Sequence, residues 1–133
     1  MKPRLILLLL TQLFSANLFA CSCGEVSLQD KINSSDYIYH GRVIESKLID
    51  KNMVSNKLLV IEKIKGYPQT HNLKSYLGEY NMCKMYVVTG VDYVVFGNVG
   101  KTPVISSVCS KSYPIFDNIE KYIKEIRTKV KTG

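Results

Sequence analysis

From Asp36 onward the hydrophobic and polar positions alternate with period two. Tyr37, Tyr39, Gly41 and Val43 fall on one side, and Ile38, His40, Arg42 and Ile44 on the other. Successive side chains of a strand point to opposite faces, and β-branched and aromatic residues suit a half-buried pleated surface, so this stretch predicts a first long strand. Gly41 inside it predicts a bulge or bend. The polar residues 50–56 predict a turn, and Lys57 to Lys65 a second strand ending at Gly66-Tyr67-Pro68, the pair reading as a hairpin. Further strands are expected around His71 to Leu77, from Lys84 to Thr89-Gly90, from Val91 to Gly97 and from Val104 to Cys109. Val91 to Gly97 is almost wholly apolar, the pattern of a strand buried on both faces. Short strands separated by turn residues predict a mainly β domain, a small closed barrel.

Two stretches change the period. Ser27-Leu28-Gln29-Asp30 reads as a capping box opening a short helix, with Leu28 and Ile32 on its apolar side and a stop near Asn33-Ser34-Ser35. At the other end Ile115, Ile119, Tyr122, Ile123, Ile126 and Val130 form one helical stripe, with Lys121, Lys124, Lys129 and Lys131 away from it. That amphipathic C-terminal helix is expected to start under caps from Asp117 and Glu120 and to pack outside the barrel through Ile119, Ile123 and Ile126. Glu120 and Glu125 weigh against a helix lying on a membrane surface.

Residues 1–20 read as a signal peptide: Lys2 and Arg4 form a positive start, Leu5 to Leu10 an apolar core, and Ala20 a small residue before the cut. Thr11, Gln12, Ser15 and Asn17 interrupt the apolar stretch, whereas a membrane helix needs about 20 mostly apolar residues. Residues 21–133 are then one domain, too short to divide and without a linker. Leu18-Phe19-Ala20-Cys21 also resembles a bacterial lipobox, which gives the alternative of a membrane-anchored lipoprotein. Without Lys2 and Arg4 the balance of 18 basic against 11 acidic residues, +7, falls to +5. The positive charge is spread out and lacks a basic-aromatic motif, so no nucleic acid partner is expected, and a membrane only if Cys21 carries lipid.

Four cysteines remain, and export to an oxidising compartment, outside the cell or in a periplasm, makes two disulfides the default. A Cys21–Cys23 bridge would close a small strained ring, which leaves two arrangements joining this pair to Cys83 and Cys109. A four-cysteine zinc site fits poorly, because C-x-C with two isolated cysteines is not the spacing of zinc ribbons. An enzyme is not expected, and neither is a cofactor. His40 lies within a strand and His71 in a polar loop, and there is no Ser/His/Asp order, carboxylate pair or glycine-rich phosphate loop. Redox enzymes set C-x-x-C, not C-x-C, at a helix N-terminus.

Taken in order, several motifs carry a resemblance: Cys21-Ser22-Cys23, the short helix, Ser35-Asp36-Tyr37-Ile38-Tyr39-His40-Gly41-Arg42-Val43, Lys65-Gly66, Cys83, Gly90-x-x-Tyr93-Val94-Val95-Phe96 and Val108-Cys109-Ser110. This set resembles the N-terminal domain of tissue inhibitors of metalloproteinases and related bacterial netrin-like proteins, over nearly all of residues 21–110. The resemblance implies an OB-like five-stranded closed barrel with flanking helices, and disulfides Cys21–Cys83 and Cys23–Cys109. It also implies a wedge against a zinc metalloprotease, built from Cys21, Ser22, Cys23, Gly24 and Glu25 together with the connector Glu79, Tyr80, Asn81 and Met82. The sequence departs from the animal inhibitors at Gly24 and Glu25, where their wedge is more apolar, and in having no third cysteine after the first helix and no C-terminal cysteine-rich domain.

The chemistry of such a wedge is explicit. The α-amine and carbonyl of an N-terminal Cys21 would form a five-membered chelate with the protease zinc, displacing the water that a catalytic zinc holds in its open position. An α-amine titrates near pH 8, so a neutral fraction exists at neutral pH and the metal favours deprotonation. Ser22 would point into the specificity pocket, fitting many pockets and filling few. Netrin-like domains also serve as plain interaction modules, so the second expectation is an extracellular or envelope protein partner without inhibition.

Overall fold

The computed structural model describes residues 21–78 and 83–133; the expected signal peptide and connector residues 79–82 lie outside them. Eight elements follow one another: α1 (Leu28–Asn33), β1 (Tyr37–Asp50), β2 (Met53–Lys65), β3 (Asn72–Tyr76), β4 (Asp92–Gly97), β5 (Val104–Ile105), β6 (Tyr113–Ile115) and α2 (Ile119–Thr132). The strands form one six-stranded sheet in the order β5-β3-β2-β1-β4-β6. All neighbours are antiparallel except β3 and β5. The sheet is curled into a half-barrel, and its ends, β5 and β6, are not paired with each other in that order.

The alternation along β1 sets the two sides. Tyr37, Tyr39 and Val43 join Leu58, Leu73, Tyr93, Val95 and Ile105 in one inner cluster supplied by five strands. A flat sheet would hold β5 and β4 about 19 Å apart, at four strand spacings, so the shared core reflects the curl. On the outer side Ile38, Val94 and Phe96 join Ile32 of α1 and Ile126 of α2. Strand β4 is therefore covered on both faces, as its apolar run predicts.

Two glycines make this geometry possible. The β1–β2 register shifts between His40 and Gly41, and a Cβ on Gly41 would stand 3.0 Å from the Leu59 carbonyl oxygen and 3.2 Å from the Tyr39 ring. At Gly97, closing β4, the Tyr37 ring occupies the place a Cβ would take. The side-chain half of the expected capping box forms: the Ser27 hydroxyl oxygen accepts from the Asp30 amide at 3.1 Å, and the same hydroxyl donates to the Asp30 carboxylate at 2.7 Å. Helix α2 buries Ile123 and Ile126, half-buries Ile119, and is tied to β2 by a two-point Arg127–Glu62 pair with both contacts at 2.6 Å.

Several expected boundaries are corrected. Strand β2 starts at Met53, so the turn is only Lys51-Asn52. Lys84 to Thr89 is not a strand. Met85 and Val87 do lie against the inner core, but the Val88 amide donates to the Tyr93 hydroxyl at 3.0 Å and not to a ladder. Strand β5 is two residues long, because serine side chains take up the backbone donors beyond it. The Ser110 hydroxyl accepts from the Ser106 and Ser107 amides at 3.0 and 3.3 Å, and the Ser107 hydroxyl from the Cys109 amide at 3.2 Å. Ile115 belongs to the unforeseen β6. Helix α2 begins at Ile119, preceded by Asn118 as its N-cap in the left-handed region at φ 50°, and its start has no side-chain cap from Asp117 or Glu120.

Candidate functional site

The N-terminal segment 21–27 has no regular structure and is held by its cysteines. Cys21 is bonded to Cys83 and Cys23 to Cys109, with Cα–Cα distances of 5.4 and 5.3 Å, and no described cysteine is free. Both partners lie in one place, since the Val108 amide donates to the Cys83 carbonyl at 2.9 Å. Ser22, Cys23, Gly24 and Glu25 are exposed, and Cys21 is half-buried. The first edge of the expected wedge is thus a solvent-facing ribbon pinned at two points. The second edge, Glu79, Tyr80, Asn81 and Met82, lies outside the described residues.

Beneath the ribbon, α1 is clamped at its carbonyl end, a feature not anticipated from the sequence. Lys65 donates from Nζ to the Ile32 and Ser35 carbonyls at 2.8 and 2.6 Å, and Lys111 to the Ser34 hydroxyl at 2.8 Å. Cations suit that end of a helix, where carbonyls lack intrahelical partners. Lys65 in the quoted Lys65-Gly66 motif was the available signal. Nothing in the spacing of Lys111 pointed to it.

A second polar cluster lies on the outer face of the sheet. His40 Nε2 is 2.8 Å from Asp92 Oδ2, and Arg42 donates from Nε to Asp92 Oδ1 at 2.5 Å. Burial pushes the Asp92 carboxyl up, but hydrogen bonds from Arg42 and His40 outweigh it and hold the group below the usual range. This arrangement ties β1 to β4, whose register pairs Arg42 with Asp92 and His40 with Val94. His71 is exposed, and its carbonyl accepts from the Leu58 amide at 2.8 Å.

Compared with protein-family models and with curated proteins, the chain matches none. Two disulfides fit an oxidising compartment. Among the described residues no helix is long and apolar enough to cross a membrane.

Proposed function

We propose that the protein is an exported, TIMP-like inhibitor of zinc metalloendopeptidases, acting through Cys21 once the leader has been removed. The observation that carries this reading is the pairing of both cysteines of the N-terminal C-x-C with Cys83 and Cys109, which presents Ser22 to Glu25 as an ordered ribbon. An ordered N-terminus loses less entropy on docking than a frayed one, the physical requirement for a short chelating wedge. The half-barrel is read as the OB-like barrel of the netrin-like family, with β1 as its long shared strand. The Cys21 sulfur is engaged with Cys83, whereas a lipoprotein would need it for a thioether; the pairing therefore favours a free amine over a lipid anchor.

The alternative is a non-inhibitory interaction module of the cell envelope. Ile44, Leu48, Ile49 and Leu59 of the β1–β2 hairpin are each about half exposed, a surface that chelation does not use. The test is to assay the exported protein, with its N-terminal residue identified, against a panel of zinc endopeptidases. Stoichiometric inhibition of at least one is expected, and none at micromolar concentration would replace inhibition by the module reading.

A further inference from the structure

The two bridges differ in their surroundings. Cys23 and Cys109 are both exposed, whereas Cys21 and Cys83 are each half-buried. Cys23 and Cys109 also line an open groove of about 330 Å³ together with Lys31, Lys111 and Glu25. The two lysines outweigh the single carboxylate there. Their ammonium groups are held in place, Lys111 Nζ by the Ser34 hydroxyl at 2.8 Å and Lys31 Nζ at 5.3 Å from the Tyr113 ring centre.

Thiol–disulfide exchange requires a thiolate to reach one sulfur while the other leaves as a thiolate, so access and positive potential both accelerate it. We propose that Cys23–Cys109 is a thiol-exchange site, the bridge that an external dithiol of the C-x-x-C oxidoreductase class opens first, with Cys21–Cys83 left intact. One thiolate of the dithiol attacks a sulfur of the pair. The S–S bond breaks, and the departing cysteine thiolate takes a proton from water. The second thiol of the dithiol loses its proton to solvent and attacks the first thiol's sulfur in the mixed disulfide, so that the remaining protein cysteine leaves as a thiolate and takes a proton from water. The protein gains two electrons and two protons, and the dithiol becomes a disulfide. The protein is the substrate in this exchange and not its catalyst.

The opening is local. The turn carrying Cys109 keeps its Ser107 and Ser110 hydrogen bonds and the Val108–Cys83 backbone bond, and Cys21–Cys83 still holds the start of the ribbon. What is released is the edge from Cys23 to Val26. None of this depends on whether Cys21 inhibits a protease.

The test exposes the folded protein to graded dithiothreitol or to a reduced C-x-x-C oxidoreductase, traps thiols with a fast alkylating agent and maps the labelled peptides. Cys23 and Cys109 are expected to label at least roughly tenfold faster than Cys21 and Cys83. Equal rates, or earlier labelling of Cys21 and Cys83, would overturn the proposal. In a Lys31→Gln, Lys111→Gln protein of unchanged melting temperature, the exchange is expected to slow by roughly threefold or more at low salt. An unchanged rate would overturn the role of the lysines.

Discussion

Val108 donates its backbone N–H to the carbonyl of Cys83 at 2.9 Å, which places the two disulfide partners of the N-terminal C-x-C side by side. The bridges span 62 and 86 residues, and in the chain-entropy view each restrains the unfolded state by about 4 kcal/mol. Because the Val108–Cys83 bond and the other bridge remain, a Cys23→Ser, Cys109→Ser protein is expected to fold with the same sheet at a cost of about 2–4 kcal/mol. Urea titration followed by circular dichroism measures this; loss of the folded baseline would show that the second bridge is required for folding itself.

Gly97 and Tyr37 depend on each other in the same way. A Cβ at position 97 would overlap the Tyr37 ring at its Cζ, Cε2 and hydroxyl, so Gly97→Ala is expected to lose about 2–4 kcal/mol through overpacking and displacement of a core aromatic. Adding Tyr37→Leu to that variant relieves the clash, and the double mutant is expected to lose less than the sum of its single losses. Additive losses in a denaturant cycle would mean that the ring does not respond to position 97.

Tyr39 is wholly buried, and its hydroxyl has no hydrogen-bond partner among the described residues. Burial, with a smaller contribution from Tyr37, raises its pKa far above the ordinary tyrosine value. An unsatisfied buried hydroxyl costs about 1–3 kcal/mol, so Tyr39→Phe is expected to leave the melting temperature unchanged or raise it. A clear fall would reveal a partner for the hydroxyl.

Glu62 and Asp92 set the response to acid. The Arg127 hydrogen bond lowers the Glu62 carboxyl, and the Asp92 carboxyl is lowered by Arg42 and His40 against the opposing effect of burial. For groups depressed in the folded state, stability is present above the unfolded value, about 4, and is lost as pH falls through the folded values. The melting temperature is therefore expected to drop steadily below about pH 4. Asp92→Asn should be less stable than the parent at neutral pH, with the gap narrowing toward pH 2. A gap that is constant with pH would remove Asp92 from the account.

The long elements were legible in the sequence because burial on one or two faces leaves a period. The β1 alternation, the apolar run of β4 and the stripe of α2 each record what covers them. Elements whose backbone partners are side chains leave no such record. Met85 and Val87 lie against the inner core, yet the Val88 amide pairs with the Tyr93 hydroxyl, so the strand expected from Lys84 to Thr89 does not form. The serines around Cys109 end β5 early for the same reason. At the candidate site the position of the C-x-C identified the ribbon, and the family resemblance supplied its pairing. The lysine clamp on α1 depends on the chain returning from residues 65 and 111, which local spacing does not report.

The most direct test of the central claim compares the correctly processed protein with one carrying a single alanine before Cys21, against a zinc endopeptidase that the processed form inhibits. The extension keeps both bridges but converts the chelating amine into an amide, so the account predicts loss of inhibition by at least about a hundredfold with an unchanged melting temperature. Equal inhibition by the two forms would contradict it.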